Sequence, residues 1–171
     1  AELAQDNDVL NAKLTGLNNR DKIYGREGEE VLIGRYEGKI KNTSSEDRMS
    51  PLVQSGYKYV LHIDGHVAAY RLGRELDYNS CILKMNGYED YKLWFSDKLV
   101  PYDEEERNED EAVVVNVKLD GMMSQIESIM NKDEISKKIA KNAKNLYNRI
   151  MTRENMIEYM KMKLNMISSQ F

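Results

Sequence analysis

YKYVLHIDGHVAAYRLGRELDYNSCILKM, residues 57–85, carries three local signals in a row. Tyr57 to Ile63 is β-branched and aromatic and runs into Asp64-Gly65, which reads as a strand closed by a glycine turn. Val67 to Leu76 (VAAYRLGREL) has helical composition, with Val67, Tyr70 and Leu76 available to face a sheet. Ser80 to Met85 (SCILKM) is short and mostly apolar, which suits a buried strand better than a helix. Strand, turn, helix and strand within about thirty residues is the size of a βαβ unit.

Working outward, the segments on the C-terminal side continue the alternation. Glu89 to Leu99 carries Tyr91, Leu93, Trp94 and Phe95 and is expected to be a helix with a bulky apolar face. Asp103 to Glu111 (DEEERNEDE) is almost all acid and reads as a solvated loop. Ala112 to Val117 (AVVVNV) is a third strand and Asp120 to Asn131 a helix. Ile135, Ile139, Ala143, Leu146 and Ile150 recur at steps of three and four, the mark of an amphipathic helix. Thr152 to Ser168 is expected to be a last helix with Met156, Met160 and Leu164 on one face, its methionines filling core.

On the N-terminal side the signals are weaker. Glu2 to Leu17 suits one or two short helices, Val31 to Ile33 a short strand, and Lys39 to Ser50 a loop. Strands alternating with helices argue for an α/β fold with a Rossmann-like parallel sheet and flanking helices. The expected organisation is a helical and loop segment over 1–50 belonging to the same domain, a Rossmann-like core over 51–152, and a C-terminal helix over 153–171.

Composition narrows the function classes. The 171 residues are 41% hydrophobic and 32% charged, with a net charge of −4. That balance fits a globular protein and argues against a general nucleic-acid binder. No apolar run approaches the ~18 residues that a membrane span needs. The single cysteine, Cys81, excludes a disulfide scaffold and favours a reducing, cytoplasmic setting; with no visible base beside it, it reads as core. The chain opens at Ala1 without a leader, as a processed or excised piece does, so the absence of a signal peptide carries no weight.

The turn after the first strong strand is the best place for chemistry, because ligands of open parallel sheets bind beyond the carboxyl ends of strands. Gly65 lets backbone approach a ligand closely. Arg71, expected about two turns into the helix, offers a planar fork suited to two phosphate oxygens. Backbone amides plus this guanidinium describe a diphosphate cradle, although an Asp-Gly turn is common and Arg71 is open to a surface ion-pair role. His66 is open to ligand contact; His62 reads as a packed, hydrogen-bonded residue. Ser80 opens the second strand and is open to donating to a phosphate or ribose oxygen. Trp94 and Phe95 read as core rather than as a base-stacking platform. Neither GxGxxG nor GxxxxGK[ST] occurs, and the Asp6-Asn7-Asp8 match to a metal-nucleotide motif has no strand before it.

Lys58-Tyr59, Asp64-Gly65, Ala68-Ala69, Arg71, Ser80 and Lys84 together resemble the pattern of glycosyltransferase family 90, the capsule-associated and protein O-glucosyltransferase group. Trp94-Phe95 with Leu99 and Pro101, Val117 to Asp120 (VKLD), Ile139 to Ala143 (IAKNA) and the opening Leu3 to Ala12 are similar to further family segments in the same order. The departures are Val113 to Val117 in place of an aromatic stretch, the acidic block inserted before it, His62 for the family's asparagine and Ala69 for its serine.

What the resemblance implies is one half of a GT-B glycosyltransferase, the half that binds the donor, with metal-independent transfer from a UDP-sugar and no cofactor. It implies that Arg71 is the catalytic contact to the leaving diphosphate. The implied donor-binding set is Asp64, Gly65, His66, Ala68, Ala69, Arg71, Ser80, Lys84 and Asp120. The partners it implies are the nucleotide sugar, a protein or glycan acceptor, and a missing N-terminal Rossmann-like half that carries the acceptor site and general base. Alternatives are a nucleotide-binding or structural module that kept the fold without turnover, and an unrelated α/β protein that associates through its C-terminal helices.

Overall fold

The structure, a computed structural model, describes residues 22–24, 30–32, 49–64, 69–85 and 92–169. The chain divides into two compact units, 1–50 and 51–171. In the first, strands β1 (Lys22–Tyr24) and β2 (Glu30–Leu32) pair antiparallel, Ile23 opposite Val31. The short strand expected near Val31 is therefore present, one residue earlier. The expected helices over Glu2 to Leu17 lie outside the described residues.

The second unit follows the order α1 (Pro51–Gln54), β3 (Tyr59–Ile63), α2 (Arg71–Glu75), β4 (Cys81–Met85), β5 (Val115–Val117), α3 (Met122–Met130), α4 (Asp133–Ile150) and α5 (Arg153–Ser168). The sheet is parallel in the order β3-β4-β5, with Val60 beside Ile82, His62 beside Lys84, and Lys84 beside Asn116. A bridge from Pro101 to Val114 extends it toward the acidic loop. This is the mixed α/β fold with a small open parallel sheet that the βαβ signal implied.

Strand β4 is central, and Cys81, Ile82 and Leu83 are all buried. Because side chains alternate along a strand, one face cannot bury all three, so both faces of β4 are covered. On one side Ile82 meets Leu72 and Leu76 after β3, Phe95, Val113 and Val114, and Ala143, Leu146 and Ile150 of α4. Each such apolar side chain contributes roughly 1.5–3 kcal/mol on leaving water. Ser136 stitches the other elements. Its hydroxyl lies 3.3 Å from the Tyr59 hydroxyl, and 3.0 and 3.1 Å from the carbonyls of Ile129 and Lys132.

Several local expectations shift by tertiary context. The helix expected from Val67 starts only at Arg71, then tightens into a 3-10 turn over Leu76–Tyr78 that ends at Asn79 with φ 59°. Asparagine tolerates that left-handed conformation, which turns the chain into β4. Gly73 in α2 passes so close to Met151 that an added Cβ would stand 3.1 Å from its Cε, and the methionine tip would have to shift by a few tenths of an ångström to admit it. Glu89 to Leu99 is no long helix over its described part; a 3-10 turn spans Ser96–Lys98. There Phe95 enters the core and Trp94 packs edge-on against it at 5.5 Å, as the core reading expected. Helix α4 buries Ser136, Ile139, Ala140, Ala143, Leu146 and Ile150, with Ile135 half-buried.

Helix α5 corrects the core-filler expectation. None of its residues is buried, and Met156, Met160 and Leu164 are exposed. Its described aromatic contact is Tyr159 against Trp94 at 5.5 Å, so it lies along the edge of the domain. The acidic segment is a turn-rich surface loop, fastened from beneath by Asn142, whose Nδ2 lies 3.0–3.1 Å from the carbonyls of Glu109, Asp110 and Ala112. Among the described residues no helix is long and apolar enough to cross a membrane.

Candidate functional site at the carboxyl rim of the parallel sheet

Period-two alternation decides which side chains can meet at the end of β3. Val60 and His62 point the same way, and their parallel partners Ile82 and Lys84 point with them. Ile82 faces Leu72 on α2, so His62 lies beneath the same helix. Asp64, two residues beyond His62, continues that face at the rim.

The result is a chain of five ionisable side chains. His62 Nδ1 lies 2.5 Å from Glu75 Oε2, and its Nε2 lies 3.2 Å from Asp64 Oδ1. The other oxygen of Asp64 receives Lys84 Nζ at 3.4 Å. The other oxygen of Glu75 lies 3.3 Å from Arg71 Nε, one helical turn earlier on α2. Arg71 Nη2 also donates to the Ile63 carbonyl. Side-chain exposure rises from 0% for His62 and 2% for Glu75 to 12% for Asp64, 16% for Lys84 and 44% for Arg71. The network is rooted in the core and opens at the rim.

Two acceptors facing two ring nitrogens fix a proton count. Either the imidazole carries both protons, or one carboxyl holds a proton of its own. With the ring doubly protonated the charges alternate strictly from Arg71 through Glu75, His62 and Asp64 to Lys84. Burial pushes the Asp64 carboxyl up. It is outweighed by the Ala69 N–H at 2.9 Å, the His62 hydrogen bond and the Lys84 charge, so the group sits below its ordinary range.

The residues singled out in the sequence distribute unevenly over this geometry. Asp64, Ala69, Arg71 and Lys84 come together at the rim. Gly65, His66 and Ala68 lie outside the described residues. Arg71 stands in the first turn of α2, not two turns in, because the helix begins later than its composition suggested. A five-residue helix carries only a small dipole, so the side chains rather than aligned amides supply the charge here. Asp120 follows β5 at the same rim, exposed, its carbonyl taking Gln125 Nε2 at 3.0 Å.

Ser80 is not brought to this rim. It precedes the first residue of β4, at the amino end of the sheet, roughly 16 Å of strand away. It is buried and donates to the Tyr57 carbonyl at 2.6 Å, closing the entry into β3. Cys81 is core, and burial pushes its thiol up to about 12. Glu75 was missed entirely. The available signals were its four-residue spacing from Arg71, which puts both on one helix face, and a histidine on the inward side of the preceding strand.

Comparison with known proteins adds relatives without assigned roles. The chain is 34% identical over 125 residues to an uncharacterised protein, 035R, of Invertebrate iridescent virus 3, a match covering 73% of this chain and 11% of that protein. It is 32% identical over 139 residues to an uncharacterised protein, 179R, of Invertebrate iridescent virus 6, covering 77% of this chain and 11% of the relative. The chain thus matches about a tenth of the length of these much longer proteins. No family model matches it.

Proposed function

We propose that this chain binds the diphosphate of a nucleotide sugar, UDP-linked, at the carboxyl rim of its sheet, as the donor-binding half of a metal-independent glycosyltransferase. One observation carries the reading. Asp64, Arg71 and Lys84, drawn from three separate segments by the resemblance to family 90, converge in space. Lys84 Nζ lies 3.4 Å from Asp64, and the Arg71 guanidinium rests on the carbonyl of the residue before it. The convergence sits at the end of a parallel sheet where ligands of such folds bind. In this reading Arg71 neutralises the charge that grows on the leaving diphosphate, a contact whose loss typically costs ~3 kcal/mol of barrier. Acceptor and general base come from a second half of the enzyme.

A second reading, a nucleotide-binding module without turnover, is favoured by the segment Val113 to Val117. Where the family carries an aromatic, polar stretch, this chain supplies buried valines to its core. Calorimetric titration of the full chain with UDP, with GDP as control and no metal added, tests both. UDP is expected to bind in the micromolar to millimolar range, about −8 to −4 kcal/mol. Arg71→Ala is expected to weaken it by ~1.5–3 kcal/mol through loss of a charge-assisted bond. Absence of binding to either nucleotide removes the donor assignment. Binding that persists without transfer, even when a complementary half is supplied, selects the module.

A further inference from the structure

We propose that Glu75 is the positioning residue for Arg71: it clamps one edge of the guanidinium from inside and turns the other edge outward for two oxygens of a phosphate group. The ligand named here rests on the donor-site reading above; the clamp itself rests on geometry.

A guanidinium carries five N–H donors in one rigid plane. Among the described residues two nitrogens of the Arg71 guanidinium are engaged: Nη2 donates to the Ile63 carbonyl, and Nε is ion-paired with Glu75 Oε1 at 3.3 Å. Nε and Nη2 form the side-on edge of the fork. The end formed by Nη1 and Nη2 carries one N–H from each, and planarity directs that pair away from the occupied edge. That end fits phosphate oxygens bidentately. Arg71 is 44% exposed, so a soluble ligand reaches it.

The clamp has a fixed base. Glu75 is 2% exposed and its second oxygen stands 2.5 Å from His62 Nδ1. The imidazole cannot swing aside, because its other nitrogen faces Asp64, which the Ala69 N–H fastens in turn at 2.9 Å. A surface arginine samples many rotamers and loses that freedom when it binds. An arginine tethered through Nε has lost much of it beforehand, so more of the contact appears as affinity. Glu75 touches no ligand in this scheme and acts only through Arg71.

The test is a double-mutant cycle on the full chain with inorganic pyrophosphate and UDP as probes, using Arg71→Ala, Glu75→Gln and the pair. Glutamine keeps the shape but cannot accept from both neighbours at once. Arg71→Ala is expected to weaken binding about tenfold or more, and Glu75→Gln about three- to tenfold, with no further loss when Arg71 is already absent. In parallel, the Arg71 Nε–H signal in nitrogen-15 spectra is expected to exchange slowly in the wild-type chain, and at least about tenfold faster in Glu75→Gln. An equal loss from Glu75→Gln in both Arg71 backgrounds overturns the positioning role while leaving the donor site standing. A fast-exchanging Nε–H in the wild-type chain overturns the clamp without any variant having to fold. A protected Nε–H in a wild-type chain that binds neither probe supports the clamp and refutes the donor reading together with the ligand assigned to the fork.

Discussion

Replacing His62 and Glu75 by leucine, singly and together, tests whether the network is one unit. In His62→Leu the Glu75 oxygen that faced Nδ1 loses its donor at a site with 2% exposure. Stripping a buried charge of its partner costs ~3–5 kcal/mol, and the remaining Arg71 contact at 3.3 Å puts the expectation near the lower figure. In Glu75→Leu the imidazole keeps its bond to Asp64 and leaves one nitrogen unpaired, which costs ~1–3 kcal/mol. Arg71 is nearly half exposed, so its lost partner adds little. Independent effects would therefore total at least about 4 kcal/mol. The double replacement removes ring and carboxylate together and leaves two apolar side chains against Leu72 and Ile82. It is expected to cost no more than ~1–2 kcal/mol, giving a coupling of at least ~2 kcal/mol. Urea unfolding followed by Trp94 fluorescence reads it, because Trp94 is the only tryptophan and packs on Phe95 in this unit. A double variant that loses as much as the two singles added together would show that His62 and Glu75 do not depend on each other, and the reading of the network as one unit would fall.

Three further outcomes follow from the same geometry. Asp64 has a folded value below its ordinary 3.8, so the stability it contributes is fully present above that value and is lost as pH falls through the lowered one. The stability gap between wild type and Asp64→Asn should stay flat above about pH 5 and close in the acid range below 3.8 in urea titrations. Cys81, buried with its thiol near 12, should resist a thiol-specific aromatic disulfide at pH 8 and react only as fast as the domain unfolds; rapid labelling of the native chain would place it outside the core. Asn142→Ala should release the acidic loop from α4 at a cost of ~1–2 kcal/mol and speed cleavage by a glutamate-specific protease between Glu104 and Glu111; an unchanged cleavage rate would mean that Asn142 does not fasten the loop.

The elements whose period is written into neighbouring residues were legible in the sequence alone. Strand β3 ending at Asp64, the wholly apolar start of β4, the three-four spacing of α4 and the solvated acidic block all follow from local chemistry, and the structure keeps them within a few residues. So do the packed roles of His62, Cys81 and Phe95. The convergence of Asp64 and Lys84 needed the parallel register that sets His62 beside Lys84, though the residues themselves were singled out beforehand. Only the tertiary structure decided the rest. It buried Glu75 between a histidine and an arginine, sent Ser80 to the far end of the sheet, and started α2 at Arg71. It also left the methionines of α5 exposed, although their spacing is that of a buried face. The physical reason is the same in each case. Periodicity reports that a face exists, whereas which surface covers it depends on contacts between segments far apart in the chain, and those are fixed by strand register and helix placement.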